Sequence, residues 1–213
     1  MKAVLLTSMP SAAIQLVYLV QTRGFKFRDV VLVGCNPPES HIFEEYASIN
    51  GFNLHYVTGE NEPDCLELMR QLQPDVIKIV TCTIIRKPLL EIPRMGVLNT
   101  HAAMLPRYRG IDTPQWAVLE DGPVGVVEHF VDQTIDTGDL IAIRTLELSP
   151  GDTVAKMLYR NHHENKWQTA TDALIALRDG TAVRTPQRPE DGRQYYTMHP
   201  RILGFVEEKL SHL

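Results

Sequence analysis

Short apolar runs alternate with longer helix-periodic stretches through the first half of the chain. Ala3–Leu6 predicts a buried strand, and Ala12–Arg23 a helix that Gly24 ends. Val30–Val33 predicts a second strand, closing at Gly34-Cys35-Asn36-Pro37-Pro38, followed by a helix over Ile42–Asn50. Leu54–Val57 is the third strand and Asp64–Gln71 a short helix stopped by Pro74. Val76–Val80 is the fourth, lengthened by Thr81–Ile85. These strands are continuous β-branched runs rather than alternating ones, so both faces should be covered, as in a parallel sheet with helices on each side. The rhythm predicts an α/β fold with a doubly wound, mainly parallel sheet.

The second half changes character. Val97–Asn99 reads as a fifth strand and Thr113–Leu119 as a helix. Val124–Val131 and Leu140–Leu148 read as two strands joined by the turn-rich Asp132–Asp139 segment. Asp152-Thr153 caps a long helix running to about Arg178 and ended by Gly180. The expected organisation is one main domain over residues 1–180 and a short extension over 181–213 holding one hairpin.

A chain of 213 residues with 44% hydrophobic content can bury a core without a staple. Its net charge of −5 disfavours a nucleic-acid partner, since both halves are acid-leaning and no basic arm stands out. Cys35, Cys65 and Cys82 form no Cys-x-x-Cys pair, which fits a reducing compartment and no structural metal. The opening apolar run is cut short by Thr7-Ser8 and Pro10, so a signal peptide is not expected. No stretch approaches the ~18–20 apolar residues of a membrane span, and no membrane partner is expected. The cytoplasm is the expected location.

Ligands of open α/β sheets bind beyond the carboxyl ends of the strands, so chemistry is sought there. Thr7-Ser8-Met9-Pro10-Ser11 carries neither a dinucleotide fingerprint nor a triphosphate loop. The fifth strand ends in Asn99-Thr100-His101, followed by Leu105-Pro106-Arg107-Tyr108-Arg109-Gly110 and later Asp136-Thr137-Gly138-Asp139. In extended chain Asn99 and His101 point to one side, giving two adjacent donors able to hold an oxyanion, each worth ~3 kcal/mol in a dry site. A nearby carboxylate such as Asp136 should raise the imidazole above its usual pKa of about 6.5 and keep the cation populated. Asp136 could also relay the proton of an attacking amine.

Each piece alone has an ordinary reading. Asn99 and His101 can be loop and packing residues. Asp136–Asp139 can be a β-turn, and Arg107–Gly110 a solvated loop. Arg107 and Arg109 suit a diphosphate or solvent equally. Trp116 is a core side chain beneath the Arg107–Gly110 loop or a stacking platform for substrate. His162-His163 point about 100° apart on a helix, unlike the spacing of zinc ligands, and read as a helix face. Cys82 is expected to be buried and unreactive.

Taken together, Asn99-Thr100-His101, Leu105-Pro106-Arg107-Tyr108-Arg109-Gly110, Pro114-Gln115-Trp116-Ala117 and Ile135-Asp136-Thr137-Gly138-Asp139-Leu140 resemble the folate-dependent formyltransferase family. The resemblance runs from the first strand to about Arg178. It implies a Rossmann-like formyltransferase fold, with Asn99, His101 and Asp136 as the catalytic trio. It further implies 10-formyltetrahydrofolate as co-substrate, no metal, and formyl transfer to a primary amine through an oxyanion held by Asn99 and protonated His101. The pterin is implied to lie against Cys82-Thr83-Ile84-Ile85 and against the loop before Asp136, where Asp132 and Gln133 stand. Arg107, Tyr108, Arg109 and Trp116 are the candidate acceptor-binding residues.

Within the family, Ala102-Ala103 replaces a common Pro-Ser after the histidine, leaving the trio intact. The proline in Ser8-Met9-Pro10-Ser11, and the lack of glycine there, disfavour glycinamide ribonucleotide as acceptor. Methionyl-tRNA enzymes are expected to carry a further C-terminal barrel and more phosphate-facing cations. Formyltetrahydrofolate hydrolases are expected to carry an extra N-terminal domain. The remaining branch takes a nucleotide-linked amino sugar, and Gln194-Tyr195-Tyr196-Thr197-Met198 resembles the C-terminal hairpin of some such enzymes, which are often homodimers. Another small-molecule or peptide amine is the alternative acceptor, and a degenerate folate- or nucleotide-binding module the non-enzymatic alternative.

Overall fold

The computed structural model describes residues 1–34 and 37–213, the side chains of residues 37–40, 42 and 189 excepted. Cys35 therefore lies outside the described residues. The strands and helices run β1 (Ala3–Thr7), α1 (Pro10–Thr22), β2 (Asp29–Val33), α2 (Pro37–Asn50), β3 (Asn53–Val57), α3 (Pro63–Leu72), β4 (Val76–Val80), α4 (Lys87–Leu90) and β5 (Gly96–His101). They continue as β6 (Tyr108–Gly110), α5 (Thr113–Leu119), β7 (Val124–Val131), β8 (Leu140–Leu146), α6 (Val154–Arg160), α7 (Trp167–Asp179), β9 (Arg193–Tyr195) and α8 (Pro200–Ser211). The main sheet has the order β3-β2-β1-β4-β5-β7-β8, parallel from β3 to β5 and antiparallel between β7 and β8. The chain divides into two compact units, Met1–Asn99 with Phe130–Gln133, and Thr100–His129 with Thr134–Leu213. This division differs from the break at residue 180 that the sequence suggests.

In the first unit the apolar runs do what their composition dictates. Every residue of β1, β2 and β4 is buried, because helices cover both faces of a parallel sheet. One core cluster gathers Val4, Leu6, Val31, Ile77, Ile79 and Val97 against Cys65, Met69 and Leu89 of the helices. Pro10 begins α1, where a missing N–H costs nothing, and Met9 caps the turn through its carbonyl. Asp64 opens α3 by accepting from the Thr58 backbone, the Thr58 hydroxyl and the Cys65 N–H, which hold its carboxyl below the usual range. Strand order reverses between β1 and β4, the crossover point at which such sheets bind ligands. Thr81–Ile84 do not lengthen β4; they form a loop in which Cys82 is exposed rather than buried.

The second unit is built around another cluster, with Tyr108, Ala117, Val124 and Met157 packed against Tyr195, Met198, Val206 and Leu210. Thr153 caps α6 by accepting from the Lys156 N–H, as the Asp-Thr pair predicts. The long helix is interrupted, however: Asn161–Lys166 form a π-helical turn between α6 and α7. Gly180 closes α7 in the left-handed region at φ +70, where the lack of a Cβ removes the penalty. Among the described residues the expected C-terminal hairpin does not form. Instead β9 pairs in parallel with β6, Thr185 and Leu140 exchange both backbone hydrogen bonds, and α8 supplies Val206 and Leu210 to the core.

Candidate active site

β5 carries His101 as its last residue, and the chain returns through Tyr108 to place a carbonyl against the ring. His101 Nε2 donates to the Tyr108 carbonyl at 2.7 Å and lies 3.3 Å from the Thr113 hydroxyl. A carbonyl can only accept, so the Nε2 hydrogen is fixed there and Nδ1 becomes the atom on which a proton comes and goes. Nδ1 stands 3.3 Å from Asp136 Oδ2.

Asp136 sits in the turn between β7 and β8 at φ +55, a left-handed conformation that aspartate tolerates better than most residues. Its Oδ2 also accepts the Gly110 N–H at 2.9 Å. Gly110 has φ +100, and a Cβ there would fall 2.2 Å from the Tyr195 carbonyl oxygen, so only glycine lets β6 and β9 close on this donor. The other carboxylate oxygen faces His129, whose Nε2 is 3.5 Å from Oδ1. A bulge between Glu128 and His129 shifts the β7 register at this residue, and such shifts re-aim side chains. The two imidazoles meet edge-on with centroids 6.4 Å apart. One carboxylate is thus held between two histidines.

Burial opposes the Asp136 charge, but His101, His129 and the Gly110 N–H overcome it and hold its pKa down to about 2. Asp136 is therefore ionised throughout the neutral range. Burial pushes His101 below the ordinary histidine value, against the pull of the Asp136 carboxylate and the Tyr108 carbonyl. This corrects the expectation that the carboxylate keeps the imidazolium populated: removal from water outweighs the ion pair. Burial thus favours the neutral imidazole, with Nδ1 the atom that a second proton would occupy. The set is a base and an acid on one carboxylate, which fits the proton traffic of an acyl-type transfer.

The structure brings His101 and Asp136 together. Asn99 stands two residues before His101 on β5, half-buried. Of the residues offered to the pterin, Cys82, Thr83, Ile84, Asp132 and Gln133 are exposed and Ile85 is buried. Of those offered to the acceptor, Tyr108 is completely buried and belongs to the core. Arg109 is buried too, donating to Gln187 and to the Arg188 carbonyl, so it holds protein rather than an anion. Trp116 leans on Tyr195 and donates to the Tyr196 carbonyl, which favours its packing role. Arg107 remains on the surface, 54% exposed, stacked over Tyr108 and 3.9 Å from Glu120.

Sequence reasoning missed His129, Thr113, Gln187 and the Gly110 N–H. His129 had a signal: Glu128-His129 is a polar pair inside an otherwise apolar strand, and a polar pair buried there needs partners. Among the described residues no group of three or more His, Cys, Asp or Glu side chains is arranged to hold a metal. Nor is any helix among them long and apolar enough to cross a membrane.

Residues 1–174 match the formyl transferase family. The methionyl-tRNA formyltransferase of Agathobacter rectalis is 32% identical over 166 residues, covering 77% of this chain and 53% of that protein. The chain thus spans about half the length of the curated relatives it matches. The fold is shared with glycinamide ribonucleotide transformylase 1 of Symbiobacterium toebii, at a TM-score of 0.71 and 20% identity, covering 88% of this chain and 94% of that one. It is shared also with the formyltransferase PseJ of Anoxybacillus kamchatkensis, solved with UDP-4,6-dideoxy-4-formamido-L-AltNAc and tetrahydrofolate, at 0.58 and 23% identity, covering 78% and 85%. With its paired histidine and aspartate in a fold common to these proteins, the chain belongs to the formyl transferase family.

Proposed function

We propose that this chain transfers a formyl group from 10-formyltetrahydrofolate to the primary amine of a nucleotide-linked amino sugar. The observation that carries the transfer chemistry is the His101 Nδ1–Asp136 Oδ2 pair at 3.3 Å, with Nε2 locked on a carbonyl. In this reading Asp136, ionised at neutral pH, takes the proton released as the amine attacks. Asp136 passes that proton to His101 Nδ1, and the imidazolium so formed faces the negative charge that develops on the formyl oxygen. The proton leaves on the folate nitrogen as its bond to the formyl carbon breaks. Asn99 adds a second donor from the same strand, since side chains two residues apart on an extended chain share a side. The backbone of residues 82–85 and of 132–133 holds the folate, a role that asks little of side-chain identity.

The amino-sugar acceptor rests on charge and on one loop. A net charge of −5 opposes a polyanionic acceptor such as tRNA, whose binding needs a positive field. Pro10, at the start of α1, removes a backbone donor from the loop after β1, where a phosphate-bearing glycinamide ribonucleotide would want one. The second reading, methionyl-tRNA, is favoured by the sequence similarity to the Agathobacter rectalis enzyme. Incubation with formyl-labelled 10-formyltetrahydrofolate separates the two. Label should pass to a nucleotide-linked 3- or 4-amino deoxysugar in the tested panel and not to methionyl-tRNA. Transfer to methionyl-tRNA alone would overturn the acceptor, and no transfer to any amine would overturn the activity.

A further inference from the structure

Residues 181–188, which the function above leaves unused, form a strap over the Asp136 loop. Thr185 and Leu140 exchange two backbone hydrogen bonds of 2.9 Å. Two residues on, Gln187 Nε2 donates to the Asp136 carbonyl at 3.0 Å and to the Gly138 carbonyl at 2.7 Å. Its Oε1 accepts from the Arg109 guanidinium at 3.3 Å, and the same Arg109 nitrogen reaches the Arg188 carbonyl at 3.0 Å. The orientation of the amide is unambiguous, since carbonyls need its donor and a guanidinium needs its acceptor. Asp136 keeps a left-handed φ of +55, a conformation that persists only where the surroundings over-determine it. The side-chain contacts to Gly110, His101 and His129 fix its carboxylate, and the contacts to Gln187 fix its main chain.

We infer that Gln187 is a positioning residue for the formyl-transfer reaction: with Arg109 behind it, it holds the Asp136 loop so that the carboxylate stays between His101 and His129. The inference rests on the catalytic roles proposed above for His101 and Asp136. It makes the segment after α7 a working part of the site rather than an appendage. It also explains why Arg109, placed to meet an anion by its sequence, is buried: its charge anchors the strap.

The test uses the full chain carrying Gln187→Met, which keeps the volume and loses both polar ends. A second variant, Gln187→Glu, keeps an acceptor for Arg109 and loses the donor to the two carbonyls. Both should lower kcat about 10- to 100-fold, as small displacements of catalytic groups do, with KM for the formyl donor within about threefold. Independently of turnover, the NMR titration of His101 in Gln187→Met should move in the direction seen in Asp136→Asn, because the carboxylate is displaced from the ring. Gln187→Met folding with wild-type kcat and an unmoved His101 titration overturns the inference, as does a fall in melting temperature alone. Should the wild-type chain formylate no amine, the proposed function fails, and the His101 titration still decides whether Gln187 positions Asp136.

Discussion

The two units of this protein differ in how far buried polar groups gather into one network. In the first, Met1–Asn99, β1, β2 and β4 are buried and mostly apolar, Asp29 is tied to Asn53 and His55, and the functional candidates after β4, Ile85 apart, are exposed loop residues. In the second, polar side chains are taken out of water and made to satisfy one another: Thr100 donates to Glu128 at 2.5 Å, and His101 and His129 close on Asp136. Under the proposed function, the difference separates binding from chemistry. A loop that recognises a flat ring through its backbone can remain solvated and tolerant, whereas proton transfer gains from a dry, pre-set pair. The second unit therefore carries the risk, because a buried polar network that loses one member leaves the others unsatisfied.

The comparison breaks most visibly at the pair itself. His101→Ala and Asp136→Asn should each lower kcat about 10³-fold or more in a formyl-transfer assay, while circular dichroism stays native. A variant within tenfold of wild type would remove the division of labour. Gly110→Ala should cost about 3 kcal/mol, since the added Cβ meets the Tyr195 carbonyl and φ is +100. Calorimetry should find the melting temperature lower by roughly 6–12 °C.

Acid should sharpen the comparison by loading the second unit. Burial, reinforced by Lys166 and His163, lowers the His162 pKa from 6.5 to about 4, so between these values the unfolded chain binds a proton that the folded chain refuses. The stability this histidine contributes is present above pH 6.5 and lost as pH falls toward 4. Burial of His101 acts in the same direction. The Asp136 contribution follows later, lost as pH falls from 3.8 toward about 2. Melting temperature should thus decline first across the histidine window, and His162→Gln should flatten that limb. At the bottom of the scale, Cys82→Ser in the exposed loop after β4 should leave kcat and the KM for the formyl donor within about twofold. A larger change would assign that loop a side-chain role.

The first unit was legible because its rule is one-dimensional: a strand covered on both faces must be largely apolar, so Val30–Val33 and Val76–Val80 announce themselves even with Lys78 inside the latter. Thr113–Leu119 and Val124–Val131 match the observed elements residue for residue, since Asp112 and Gly122 punctuate them. Thr81–Ile85 shows where the rule fails, because β-branched residues favour strands only where a neighbour pairs with them. Gly180 marked the end of α7, yet the π-turn at Asn161–Lys166 gave no sign. It places Asn161 where its amide donates to the Ala102 and Gly125 carbonyls at 2.9 and 3.0 Å, a reward found only in three dimensions.

Periodicity determined the sheet and most of its helices, and strand-end position together with the family resemblance singled out an asparagine, a histidine and an aspartate as the groups to watch. Tertiary structure alone decided that Arg109 and Tyr108 face inward, that His129 joins Asp136, and that residues 181–188 fold back over the loop they support. The reason is one of range. A strand or helix is chosen by neighbours a few residues away, whereas the state of a buried charge depends on whatever the rest of the chain brings within a few ångströms of it.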